Sequence, residues 1–447
     1  MFQPNAPSDE KELLDAIGVK AFGDLIKRLP ARHVNPGLGL ENELPEVEIT
    51  RRLGELATKT GQPLSFLGAG AYDHFIPAAV GALASRGEFA TAYTPYQPEA
   101  SQGTLQTIFE FQSVVAEIYG MDLANASLYD GASALAEAAL VAFRHIGRGV
   151  LLVPDALHPH YRRTLDTYFT EASGGKLVTV GCVHGTIDPG DLDAKINAHR
   201  DQVAGVVVQT PNFFGCLEDG AAIAQKAHAA GALVIAVSNP LALGVVSPPG
   251  EWDADIAVGE GQPLGLPVSF GGPYVGLFTC KKEFMRKMPG RLCGRTLDVD
   301  GKVGYVLTLQ AREQHIRREK ANSNICTNQN LCATMFTIHA SMLGPEGLRE
   351  LAELNLQLAH YAAGQLAKVP GCKLAFDAPF FNEFVLEISG DAEAAQKKLL
   401  ELGILLGLPL KGFYPKLDHH LLINVTERKT KADIDRLVSA LGSVTRA

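Results

Sequence analysis

Tyr93-Thr94-Pro95-Tyr96-Gln97-Pro98-Glu99 crowds two phenols, an amide and a carboxylate around two prolines. Proline fixes its own φ and restricts the residue before it, so the segment is read as a stiff, extended loop. A stiff loop with aromatic and polar tips suits contact with a substrate or another subunit. Tyr93, Tyr96 and Gln97 are its candidates. A second group is the run Gln310-Ala311-Arg312-Glu313-Gln314-His315-Ile316-Arg317-Arg318-Glu319-Lys320, followed by Asn322-Ser323-Asn324-Ile325-Cys326-Thr327. Arg312, His315 and Arg318 can hold a carboxylate or an acidic protein surface by charge-assisted hydrogen bonds. The same run also suits a solvated helix face whose arginines pair with Glu313 and Glu319. Both readings stay open. Asp130-Gly131-Ala132-Ser133 opens a helix, where free N–H groups and the dipole favour an anion. Residues of this type also cap helices without any ligand. His158 follows a strand end and can stack on a ring, or simply cap and pack.

The elements that must position these groups alternate. Apolar runs at 149–153, 177–181, 203–209, 233–237 and 255–259 read as buried strands closed by Gly and Pro. Helical stretches separate them, notably 105–119, 135–145 and 220–230. This alternation predicts an α/β fold with a large, doubly wound, mainly parallel sheet. Ligands in such sheets bind outside the carboxyl ends of the strands. Thr210-Pro211-Asn212-Phe213-Phe214-Gly215 and the Gly/Pro-rich loop from Glu260 to Pro273 fall at that edge. No Lys occurs from Val234 to Phe278. Beyond Gly344-Pro345 the pattern becomes a smaller C-terminal α+β unit. Its helices are expected at 348–366, 392–402 and 432–441, and its strands near 373–376, 383–388 and 420–425. Ahead of the sheet lies a helical arm, with Ser8 as the expected first cap. The expected division is 1–60, 61–343 and 344–447.

Composition narrows the function. Of the 447 residues, 46% are hydrophobic and 20% charged, as in ordinary globular enzymes. A net charge of -9 argues against nucleic acid as a partner. Seven cysteines, an odd number with no C-x-x-C pair, suggest reduced thiols and a cytoplasmic location. No apolar run approaches membrane-spanning length, so no membrane partner is expected. Asp9, Glu10 and Glu12 stand where a signal peptide would be basic and then apolar.

Tyr93 to Gln97, Asn125-Ala126-Ser127-Leu128, Pro211 to Gly215, Arg312 to Lys320 and Ser323 to Thr327 together resemble the P-protein of the glycine cleavage system. That enzyme is the decarboxylating glycine dehydrogenase, and the likeness is to its N-terminal half, a separate alpha subunit (subunit 1) in two-gene organisms. The resemblance implies the type I pyridoxal-phosphate fold and a homologous beta subunit that carries the cofactor. It also implies an alpha-2-beta-2 assembly that acts on glycine and hands an aminomethyl group to the lipoyl H-protein. Set against the other half, Pro267 and Gly271-Gly272-Pro273 align so that Gln262 falls at the Schiff-base lysine. Ser238-Asn239 stands near its pyridinium Asp. Asp130, Gly131, Ser133 and His158 match remnants of the phosphate cup and ring-stacking position. No cofactor is then expected on this chain, and Tyr93, Tyr96, Gln97, Arg312, His315 and Arg318 are candidates to reach the partner's site. The rival readings are a purely structural partner of the beta subunit and a self-sufficient, aminotransferase-like enzyme. Gln262 argues against the latter.

Overall fold

A computed structural model describes residues 6–34, 37, 39–91, 93–169, 174–325 and 328–445. Cys326 lies outside the described residues. The chain divides into two units, Met1–Gly61 and Gln62–Ala447. The first holds helices Pro7–Ile17, Phe22–Leu25 and Glu46–Thr58, and none of their residues is buried. The first helix is capped at Ala6 rather than at Ser8. Pro7 takes the opening position, where a missing N–H costs nothing, and Asp9 reaches back to accept the Ala6 amide at 2.9 Å.

The second unit is built on a seven-stranded sheet. Its strands are β1 (Leu123–Ala124), β2 (Val150–Pro154), β3 (Lys176–Val180), β4 (Val203–Gln209), β5 (Leu233–Val237), β6 (Ile256–Glu260) and β7 (Gly276–Cys280). Their order is β1-β7-β6-β5-β4-β2-β3. The strands from β3 to β6 are mutually parallel, and β7 runs antiparallel to both neighbours. Helices α1 (Gln102–Tyr119), α2 (Gly131–Ile146), α3 (Pro159–Tyr168), α4 (Pro189–Ala198) and α5 (Gly220–Ala229) connect or flank them.

Successive strand residues point to opposite faces, and both faces are covered. Val150, Leu152, Val206 and Val208 enter one core with Phe111 and Val115 of α1. Leu151, Val153, Val207 and Ile235 enter the other with Leu135 and Val141 of α2 and Leu165 of α3. Burial on both sides is why these strands read as unbroken apolar runs. The sheet is therefore doubly wound, as its alternating elements predict.

Two features depart from the expected pattern. A hairpin, β8 (Leu292–Leu297) with β9 (Val303–Thr308), stands in a stretch for which the sequence pattern predicts no element. The helices on either side of Gly344 run end to end as α6 (Asn330–Leu366). The break is confined to Gly344, at φ 61°, and Pro345 can open the next turn because it has no N–H to leave unpaired.

A four-stranded antiparallel sheet follows, in the order β10-β11-β13-β12: β10 (Cys372–Leu374), β11 (Glu383–Ile388), β12 (Leu408–Pro409) and β13 (His420–Asn424). Helices α7 (Ala392–Glu401) and α8 (Lys431–Thr445) pack on it through Leu399, Ile434, Leu437 and Leu441. Phe66 is buried in the same core. Leu64–Ser65 pairs in parallel with Ile404–Leu405, so residues 64–66 lie on this C-terminal layer. From there residues 69–75 form a strap to the large sheet.

Candidate active site

Strand order reverses between β2 and β4, and there the connections leave a crevice at the carboxyl ends. The cavity at this edge is lined by His158 after β2, Gln209 of β4, Ser238 and Asn239 after β5, and Glu260 of β6. Gly70 and Tyr72 of the strap and Asn382 and Glu383 of the small sheet close its other side.

Hydrogen bonds to side chains on both layers fasten the strap. Glu383 accepts from the Ala69 amide and from the Tyr72 hydroxyl, each at 2.7 Å. Burial pushes the Glu383 carboxyl up to about 7. Thr426 donates to Asp73 O at 2.7 Å, and Glu427 accepts from the Phe75 amide at 2.6 Å and meets the His74 ring at 2.8 Å. His158 is held from two sides. Its Nδ1 accepts from the His160 amide at 3.1 Å, and its Nε2 lies 2.8 Å from Ala69 O. That pairing makes Nε2 the protonated nitrogen. Burial lowers the ring to about 4, so it is neutral at pH 7. It packs edge-on to Phe213 at 5.0 Å. The ring-stacking residue of the sequence reading is thus a cap of α3 and a tether for the strap.

Gln262 is fully buried. Its Oε1 accepts from Tyr72 N at 2.8 Å, while Nε2 donates to Tyr72 O at 2.9 Å and Leu266 O at 2.8 Å. The side chain thus ties the strap to the loop after β6. Asp130 and Ser133 cap α2 reciprocally, with Ser133 N donating to Asp130 at 2.8 Å and Asp130 N to Ser133 Oγ at 3.2 Å. Gly131 N donates instead to Glu260 Oε2 at 3.0 Å. Glu260 Oε1 accepts from the amides of Gln262 and Val275. Burial pushes Glu260 up to about 8 against the pull of these three donors.

The Tyr93 loop and the arginine-rich run meet elsewhere. Tyr93 and Tyr96 are exposed, at 81% and 47%. The Tyr96 ring lies edge-on to His315 at 6.0 Å and 5.4 Å from the Arg291 guanidinium. Arg291 is buried, 4.0 Å from the carboxylate of Glu313, which also lies 3.6 Å from His315. None of these groups lines the crevice, so the structure brings the sequence candidates together in two clusters. Gln97 and Arg318 are exposed in neither. Arg312 departs from both of its expected roles. It is buried and donates to three carbonyl oxygens: Met288 O, Gly290 O at 3.1 Å and Leu309 O at 3.2 Å. Arg312→Ala is therefore expected to destabilise the chain by about 2–3 kcal/mol. A denaturant midpoint matching that of the unmodified chain would refute this.

The family model of the glycine cleavage system P-protein matches residues 2–441. The chain belongs to that family. It is 50% identical to the probable glycine dehydrogenase (decarboxylating) subunit 1 of Desulfitobacterium hafniense, with 99% of each covered. It is 48% identical to the protein of that name from Moorella thermoacetica, again over 99% of each. A crystal structure of a glycine decarboxylase (P-protein) in inhibitor-bound form matches with TM-score 0.88 and 44% identity, over 99% of this chain and 100% of that one. The glutamate decarboxylase of Lactobacillus brevis, at 15% identity and TM-score 0.68 over 93% and 97%, shares the fold alone. The chain thus has the type I pyridoxal-phosphate fold.

Tyr72, Glu260, Arg291 and Glu383 were not singled out by sequence reading. Glu260 carried a usable signal, a lone acid at the end of an apolar strand. Glu383 opens a strand like any other, and no local pattern marks it.

Proposed function

We propose that this chain is the noncofactor, alpha, subunit of a glycine decarboxylase of the glycine cleavage system. In this reading a homologous beta subunit holds pyridoxal phosphate, and the two form an alpha-2-beta-2 enzyme. Together they decarboxylate glycine and pass the aminomethyl group to the lipoyl H-protein. The chain alone is inactive and works in the cytoplasm. Among the described residues no helix is long and apolar enough to cross a membrane. We also retain the division into an arm (1–60), a large α/β domain (61–343) and a small α+β domain (344–447). Tyr93, Tyr96, Gln97, His315 and Arg318 are our candidates for completing the partner's site, since all are exposed and the Tyr96 and His315 rings pack together.

The observation that carries this reading is the Gln262 amide. A carbonyl cofactor needs an amine to join it. A carboxamide nitrogen has its lone pair delocalised and is not nucleophilic, and here it already donates to two carbonyls. The rest of the crevice does not fit the group either. Among the described residues no Lys, Arg or Asp lines it. Ser238 stands at the end of β5, Glu260 caps the helix that would receive a phosphate, and the strap holds His158. The self-sufficient, aminotransferase-like reading has no residue to start from.

The test is to add pyridoxal phosphate to the purified chain, treat with borohydride, and repeat with the beta subunit co-expressed. The label is expected on the beta subunit alone. A visible band that borohydride fixes to this chain would overturn the assignment.

A further inference from the structure

The crevice contains an anion site whose occupant is a side chain. The amides of Gly131, Gln262 and Val275 donate to Glu260 at 3.0, 3.1 and 3.0 Å. They come from three separate segments, and Gly131 opens α2, a helix of 16 residues. Amides converging at a helix N-terminus form the arrangement that binds phosphate groups. A second observation points to the same cavity. Ser238 Oγ and Asn382 Nδ2 belong to residues only 2% exposed, line this cavity and have no hydrogen-bond partner. Buried polar atoms of this kind are normally satisfied.

We propose that Glu260 is a resident surrogate for a phosphate group and holds a latent oxyanion site shut. Its two carboxyl oxygens accept from the amides that a phosphate or phosphomonoester would otherwise take. The inference deepens the reading of this chain as the subunit without cofactor. Its test needs neither the partner nor the cofactor, so the two can fail separately.

The experiment is thermal unfolding of the full chain in sodium phosphate against sodium chloride at matched ionic strength. The unmodified chain should melt at the same temperature in both. Glu260→Ala should melt lower in chloride and recover as phosphate is added, by about 2 °C or more near saturation. Glu260→Gln, which keeps the side-chain volume, should also melt lower but show no recovery. A Glu260→Ala chain that responds to phosphate no more than the unmodified chain would overturn the proposal. If that variant does not accumulate folded, Glu260→Ser is refolded from denaturant in each salt. A higher yield in phosphate supports the latent site, and equal yields overturn it.

Discussion

Replacing Gln262 by Leu should lower the stability of the full chain by about 3–5 kcal/mol, read as a shift of the urea midpoint. The substitution keeps bulk in a fully buried position but strips the partners from three backbone groups, Tyr72 N, Tyr72 O and Leu266 O. A buried backbone group left unpaired costs about 1–3 kcal/mol. Gln262→Lys should fare no better. It places an ammonium beside a cavity whose two lining acids are already committed, Glu260 to backbone amides and Glu383 to the Ala69 amide and the Tyr72 hydroxyl. It is not expected to confer cofactor binding by itself, because the α2 N-terminus stays capped. A midpoint unchanged in both variants would mean that the strap does not depend on this amide.

The second large effect is with pH. Burial raises Glu137, Glu218 and Glu383 to about 7 and Glu260 to about 8, from a usual 4.5. In the unfolded chain these carboxyls release their protons near 4.5, whereas the folded chain keeps them until 7 or 8. Across that window the folded state binds more protons, so stability falls as pH rises. Each group adds up to about 1.4 kcal/mol per pH unit. His158 acts in the opposite sense. Lowered from 6.5 to about 4, it stays neutral in the folded chain while the unfolded chain takes up a proton, so its share of stability is lost as pH falls below 6.5. Glu427 also works in that direction. Burial opposes its ionisation, but the His74 hydrogen bond holds it at about 2, and its contribution disappears only between 4.5 and 2. The fall should therefore be steepest near pH 6 and fade as the folded-state carboxyls ionise above pH 7 to 8. Urea midpoints at pH 5.5 and 8 measure it. Glu383→Gln keeps an acceptor for the Ala69 amide and should remove one carboxyl's share of the slope. Stability that is flat or rising between those two values would contradict the assignment.

The framework of the fold was legible because it is written locally. Strands β2, β4, β5 and β6 are buried on both faces and read as continuous apolar runs. Asp130 and Ser133 lie three residues apart and mark a helix start. Gln262 was legible as a missing lysine, but its bonds were not, since Tyr72 lies 190 residues away. Arg312 misled for a different reason. A run of charges usually marks a solvated face, and the carbonyls that draw this side chain inward belong to the turn at Met288–Gly290. Backbone oxygens leave no trace in side-chain type. Tyr96 and Glu313 lie in segments that are conspicuous in the sequence, but their meeting through Arg291 is not, because the three residues come from distant parts of the chain.

The strap also fixes an order of events during synthesis. Its residues emerge from the ribosome early, but their partners are Glu383, Thr426 and Glu427, separated from them by 314, 353 and 352 residues. The large sheet can assemble well before those partners exist, and contacts between distant parts of a chain form slowly. Until the final quarter of the polypeptide has been made, the crevice lacks the side that Asn382 and Glu383 close. The nascent chain therefore passes through a stage in which the strap lacks its anchors on the small sheet, and only the last strands to appear supply them.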